Sequence, residues 1–184
     1  MALQKSNNKD KEILIFDTNI FLTGIDFNVI NSIIYSTPSI IDEIKIDKYA
    51  NKNRNILIKI QAAIDSKKLI LKTPSNFYID KVVKKSKLTG DYNALSNVDK
   101  FLIALALELK ETLTKKVFIY TNDYSMENLC SELNIPFSPL IKNGIKSKII
   151  WEVFCPFCEE VRIAEDLNKK CERCGSKLKR RPKK

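Results

Sequence analysis

The sequence predicts an α/β sandwich with a mostly parallel sheet, followed by a small cysteine-rich unit. Short apolar runs rich in β-branched residues alternate with helical patterns over residues 12–141. Two of those runs, "ILIF" and "VFIY", lead into small polar triplets that each carry a carboxylate, "DTN" at 17–19 and "TND" at 121–123. Four of the five cysteines crowd, in pairs, into the last thirty residues.

Residues 1–11 are polar and are expected to be disordered. "EILIF" (12–16) is short, apolar and sharply terminated, as a buried strand is. "NIFLTGI" begins a helix that Thr18 or Asn19 can cap. "NSIIYST" (31–37) is a second strand. "TPSIIDEIKI" then offers Thr37 as N-cap and Pro38 at the first helical position. Residues 53–69 carry apolar side chains at 56, 57, 60, 63 and 64, one stripe of a helix. "LILKT" (69–73) reads as a short strand, 76–86 as a helix and 88–94 as a loop. "NVDKFLIALALELKE" (97–111) is apolar nearly all round, which predicts a buried central helix. "KVFIYT" (116–121) is a strand, and 125–133 is a helix with Met126, Leu129, Cys130 and Leu133 on one face. "IPFSPLI" (135–141) is the expected last strand. Residues 142–148 read as a linker, 149–178 as the cysteine unit and 179–184 as a basic tail.

Composition narrows the chemistry. The 184 residues are 44% hydrophobic and 29% charged, with a net charge of +10. A balance this basic suits polyanionic partners such as nucleic acid. There is no histidine, which excludes His-based acid–base catalysis, Ser-His-Asp and Cys-His nucleophiles and His-ligated metals. No stretch approaches the ~18 unbroken apolar residues of a membrane span. The first twelve residues lack the apolar core of a signal peptide. A cytoplasmic protein with reduced thiols is the expectation.

In open parallel sheets ligands bind at the carboxyl ends of the strands. Asp17 and Asp123 follow two predicted strands, Glu43 lies in the helix after a third, and Asp99 opens the central helix. Parallel strands would bring Asp17, Glu43 and Asp123 to one edge. Clustered carboxylates repel one another, and a hard divalent cation, Mg²⁺ or Mn²⁺, relieves that repulsion. Such an ion orients water and neutralises a phosphoryl group without any histidine. Each acid also has a local reading. Asp17 can cap the first helix, "SNVD" (96–99) matches a capping box, and Asp123 suits a turn. Asp42 competes with Glu43, but Ile40, Ile41 and Ile44 set the buried face of that helix. Asp42 points away from this face and Glu43 flanks it.

"CPFC" (155–158) and "CERC" (171–174) form C-x₂-C…C-x₂-C with twelve residues between the pairs. Cys155, Cys158, Cys171 and Cys174 suit a closed, structural Zn²⁺ site. Disulfides, which a reducing compartment disfavours, and an iron–sulfur centre are the alternatives. Trp151, Phe154 and Phe157 are the expected mini-core of this ribbon, with stacking platforms for bases as the alternative, and Cys130 is a core residue of the larger domain. Six of the last eight residues are basic; they suit either phosphate contact or a solvated tail. "KVVKKSK" (81–87) is a second contact strip or a solvated helix face.

The ordered set "IFDTNIFL", "TPSIIDEI", "LSNVDKFLIALALEL" and "YTNDYSMENL" resembles a PIN-domain ribonuclease. With the four-cysteine ribbon and basic end, the chain is similar to the archaeal Nob family, endonucleases that mature the 3′ end of small-subunit ribosomal RNA. The resemblance covers nearly the whole chain. It implies a three-layer α/β/α fold, Mg²⁺- or Mn²⁺-dependent hydrolysis and metal-site roles for Asp17, Glu43, Asp99 and Asp123. Asn122 stands where some relatives carry a further acid, and Glu159 where many ribbons have a glycine. The expected function is an endoribonuclease that cuts single-stranded precursor rRNA, leaving 5′-phosphate and 3′-hydroxyl ends, with the pre-ribosomal particle as partner. A toxin-type PIN ribonuclease and a non-catalytic RNA-binding assembly factor are the alternatives.

Overall fold

A computed structural model describes residues 12–26, 29–45, 50–139, 144 and 147–183. The expected N-terminal segment 1–11 and most of the expected linker 142–148 lie outside the described residues. Five strands, β1 (Ile13–Phe16), β2 (Ile33–Ser36), β3 (Leu69–Leu71), β4 (Val117–Tyr120) and β5 (Phe137–Ser138), form one sheet in the order β3-β2-β1-β4-β5. Every pairing in it is parallel. The helices are α1 (Thr18–Leu22), α2 (Ser39–Ile44), α3 (Ala50–Asp65), α4 (Asn76–Thr89), α5 (Asn97–Thr112) and α6 (Tyr124–Glu132).

The alternation of side chains along β1 sorts the helices into two layers. Ile13 and Ile15 pack with Val117, Ile119 and the buried residues of α4, α5 and α6. Leu14 and Phe16 face the other way, against Ile20 and Phe21 of α1, Ile40 and Ile44 of α2, and Ile60 and Ala63 of α3. The result is the expected α/β/α sandwich. Helix α5 lies buried from Leu102 to Leu107 on every side, between the sheet and its neighbours. That burial explains its unbroken apolar sequence.

A second sheet, order β7-β6-β8, forms the ribbon. Strand β6 (Trp151–Phe154) pairs antiparallel with β7 (Val161–Arg162) and β8 (Lys179–Pro182). Two sequence expectations change here. Residues 179–182 are not a tail: they supply the third strand, because β6 would otherwise leave one backbone edge unpaired. Pro182 is tolerated as the last residue of an edge strand. The mini-core is Val153, Leu178 and the cysteines, with Leu167 against them, whereas Phe157 is 79% exposed on its knuckle. Trp151 and Phe154 instead lie under the guanidinium groups of Arg180 and Arg181, at 4.4 and 4.3 Å.

Smaller shifts occur at helix starts. Of the three residues that could cap α1, Asp17 occupies the N-cap position, and Thr18 and Asn19 lie inside the helix. Thr37 does not cap α2; its hydroxyl pairs with that of Ser39 at 3.0 Å. Helix α4 runs on to Thr89 and stops at Gly90, whose φ of 77° is the left-handed conformation that ends helices.

Candidate active site and metal centres

The strand order reverses between β1 and β4, the position at which open α/β sheets bind ligands. The register Phe16↔Tyr120 sets Asp17 beside Thr121 at the carboxyl ends of these strands. Asp17 is 4% exposed, and although it stands at an N-cap its side chain makes no capping bond. Its Oδ2 accepts instead from Thr121 Oγ1 at 3.0 Å and from Asn19 Nδ2 at 3.3 Å. Burial pushes its pKa up to about 6, against the pull of the Thr121 hydrogen bond, and the charge of Asp99 adds to the rise.

The other carboxylates arrive from three helices. Asp123 caps α6, its Oδ1 accepting from the N–H of Ser125 at 2.6 Å and of Met126 at 3.3 Å. Its own N–H donates to Thr121 Oγ1 at 3.1 Å, so one hydroxyl joins the two acids. Glu43 is half-buried while Asp42 is exposed, and Glu43 Oε2 accepts from the hydroxyl of Thr18, the residue after Asp17. Asp99 closes the expected capping box with Ser96: its Oδ2 accepts from Ser96 N at 2.7 Å and its N–H donates to Ser96 Oγ at 3.1 Å. The local readings of Asp99 and Asp123 therefore hold for one oxygen of each.

Three links tie the other acids to Asp17: Glu43 through the neighbouring Thr18, Asp123 through Thr121, and Asp99 through its charge. Among the described residues, the only group of three or more His, Cys, Asp or Glu side chains with ligand atoms within 4.8 Å of one another is the cysteine set. Asp17 stands apart from the other three acids in being buried, and burial is the first cause of its raised pKa. The role of Thr121 carried no signal in the sequence, because it depends on the register of two strands about a hundred residues apart, and Thr18, read as a helix cap, instead holds Glu43 of α2.

The cysteines present a tight tetrad. Cys155 Sγ lies 3.3 Å from Cys174 Sγ, and Cys158 Sγ lies 3.7 Å from Cys171 Sγ. A disulfide needs ~2.05 Å, and all five cysteines are free thiols. Four sulfurs around a tetrahedral ion with bonds of ~2.3 Å would stand about 3.8 Å apart, so the set fits a zinc ribbon. The two knuckles repeat each other: Glu159 N–H donates to Cys155 O and Gly175 N–H to Cys171 O, at 2.9 and 2.8 Å. Glu159 takes the same left-handed backbone as Gly175, φ 58° against 76°, so the missing glycine leaves the knuckle's shape intact.

The ribbon docks beside the carboxylates. Arg180 of β8 donates from Nη1 to Asp91 Oδ1 and from Nη2 to Ser125 Oγ, both at 3.1 Å. Asn128 donates to Asp91 Oδ2 at 2.7 Å and exchanges two 2.8 Å bonds with the backbone of Ile149. Asp91 is fully buried, and burial holds its carboxyl above the usual range despite these partners. Three of the four lysines in the basic strip on α4 pair with acids as well. Lys81 pairs with Glu111, Lys85 with Glu132, and Lys87 with Glu165 of the ribbon.

Residues 14–109 match the family model described as the PIN domain of ribonuclease, and a parallel sheet with acids at its switch point is a nuclease scaffold of that class. Endoribonuclease Nob1 of Methanocaldococcus jannaschii is 30% identical over 170 residues, 92% of this chain and 78% of that protein. Ribonuclease VapC1 of Thermoplasma acidophilum is 30% identical over 168 residues, 91% of this chain and 77% of that protein. The 20S-pre-rRNA D-site endonuclease NOB1 of Saccharomyces cerevisiae is 41% identical over 76 residues, 41% of this chain and 15% of that protein. The chain belongs to the Nob1 family of PIN-domain endoribonucleases.

Proposed function

We propose that this protein is a metal-dependent endoribonuclease that cuts single-stranded precursor rRNA at the 3′ end of the small-subunit rRNA, in the cytoplasm and on or near the pre-ribosomal particle. The observation that carries this reading is the buried Asp17 carboxyl, raised to about 6 at the switch point of the sheet, with Asp99 felt through its charge and Asp123 joined through Thr121. Asp17, Asp99 and Asp123 would hold Mg²⁺ or Mn²⁺, and Glu43 would complete the shell directly or through water. A cation bound there supplies a polarised water and neutralises charge on the phosphate.

The protein's own groups do the positioning. Thr121 holds the carboxylate of Asp17, and the first turn of α6 holds Oδ1 of Asp123. Thr18 holds Glu43 in the same way. Attack by water in line with the departing 3′ oxygen leaves a 5′-phosphate and a 3′-hydroxyl. The thiol tetrad would hold structural Zn²⁺, and the basic ribbon would contact RNA phosphates, making affinity fall with salt.

The test is cleavage of a labelled RNA spanning the rRNA 3′ junction, with Mn²⁺ or Mg²⁺ present. Asp17→Asn is expected to lower cleavage roughly a hundredfold or more while leaving RNA binding unchanged. Cleavage that persists in this variant contradicts the assignment. The VapC1 relative favours a second reading, a ribonuclease aimed at other cellular RNAs. Mapping the products on total RNA decides between the two, since only the first reading gives a single dominant cut at the junction.

A further inference from the structure

A cavity of about 320 Å³ opens where the ribbon meets the sandwich. Tyr124, Ser125 and Asn128 line one side, and Ile149, Trp151 and Arg180 line the other. Tyr124 directly follows Asp123, so the cavity begins one residue from a carboxylate of the candidate site. Its walls are mostly apolar, and its strongest polar groups are already engaged. Asn128 is spent on Asp91 and the Ile149 backbone. Arg180 is pinned by Asp91 and Ser125 with its plane over the Trp151 ring. Those bonds make the Trp151–Arg180 stack a rigid wall. Tyr124, 50% exposed, offers an aromatic ring beside it.

We propose that this cavity seats one unpaired nucleobase of the RNA strand, adjacent to the phosphate cut at the carboxylates; the proposal rests on the endoribonuclease reading above. Aromatic rings and guanidinium planes take up splayed-out bases by stacking. The volume lies at the lower end of small-ligand cavities and suits one base, not a base pair. A duplex keeps its bases stacked inside and cannot fill the seat, which gives the site a preference for single strands. Because Asn128 has both amide donors and its oxygen engaged and Arg180 is held flat over Trp151 by two of its N–H groups, the seat selects mainly by stacking area and favours a purine over a pyrimidine.

Trp151 is the one tryptophan of the chain and reports directly on the cavity. The full-length, zinc-loaded protein is titrated, without Mg²⁺ or Mn²⁺, with a short single-stranded RNA of the junction sequence. It is then titrated with a series of that RNA made abasic at one position at a time. Trp151 fluorescence is expected to quench on binding. An abasic residue at one position beside the cleavage point is expected to remove the quench and weaken binding about tenfold. Tyr124→Ala is expected to lose the same factor on intact RNA and nothing further on that abasic RNA, while Tyr124→Phe keeps the affinity. The proposal is overturned if no abasic position alters the quench, or if Tyr124→Ala weakens intact and abasic RNAs alike. Cleavage of the same RNA with Mn²⁺ separates the two readings. Cleavage without a single-base effect sinks the seat alone, and a single-base effect without cleavage sinks the nuclease reading and leaves an RNA-binding seat. RNA that does not bind sinks both.

Discussion

Asp17 combines two properties that conflict in a metal-free protein: it is buried, and it is an acid. An aspartate in an unfolded chain titrates near ~4, whereas burial raises Asp17 to about 6 in the fold. A raised folded-state pKa means the native state binds the proton more tightly than the unfolded chain does. The associated stability is fully present below pH ~4 and is lost as the pH rises to about 6. Above that, the ionised carboxylate costs the metal-free fold about 2–3 kcal/mol. Asp17→Asn keeps an acceptor for Thr121 and removes the charge. In buffer lacking Mg²⁺ and Mn²⁺ but with zinc retained, urea unfolding at pH 7.5 is expected to show the variant more stable than wild type by that amount, with the gap closing near pH 4. Added Mn²⁺ should stabilise wild type and not the variant, since only a site that binds the ion gains by mass action. Equal midpoints at both pH values would mean that Asp17 carries no such strain.

At the scale of elements, the candidate site lies where strands stop, and that placement is what the sequence could show. An apolar run that ends in "DTN" or "TND" places its acid just past a strand, and parallel strands share that edge. The buried central helix and the apolar stripes of α3 (Ile60, Ala63) and α6 (Met126, Leu129, Cys130) follow from periodicity alone, and the same periodicity ranked Glu43, half-buried, over the exposed Asp42. What periodicity does not carry is contact between distant elements. Strand β8 is "KRRP", with no apolar alternation, and its pairing comes from the open edge of β6. Arg180 therefore looks like one more tail charge until the ribbon is docked, when it reaches Asp91 and Ser125. Phe157 is apolar in sequence yet lies at the tip of a knuckle, where the metal-site geometry turns it outward.

Gly90 marks the docking point. A Cβ there would sit 2.7 Å from Trp151 Cβ and closer still to the Trp151 carbonyl oxygen, on a residue whose φ is already 77°. Gly90→Ala is expected to push the ribbon off the sandwich and to cost at least ~1–2 kcal/mol from the left-handed backbone alone. A red-shifted Trp151 emission with the far-UV helix signal kept is the expected result. An unmoved emission maximum would show that the ribbon does not rest on Gly90.

For the whole molecule the question is whether the ribbon is a folded unit in its own right or a metal-dependent flap. Its interior consists of Val153, Leu178 and the thiols with Leu167 against them, far less apolar surface than a unit of this size needs to hold its shape. The tetrad must therefore supply most of the folding energy through its ion. The sandwich is different, since its two clusters bury long aliphatic side chains on both faces of the sheet and contain no metal ligands from the tetrad. Removing all divalent ions with a strong chelator is expected to unfold the ribbon and leave the sandwich standing. Trp151 emission should shift to the red as its contacts with Gly90 and Arg180 are lost, while the far-UV helix signal changes little. Returning Zn²⁺ alone should restore the emission, and Mg²⁺ alone should not, because thiolates reject the harder ion. The freed Asp91, buried without Arg180, should also lower the thermal midpoint of the remaining sandwich. A Trp151 signal indifferent to chelation would show that the ribbon holds without metal. A helix signal that collapses together with it would show one cooperative unit, with the zinc site stabilising the nuclease domain itself.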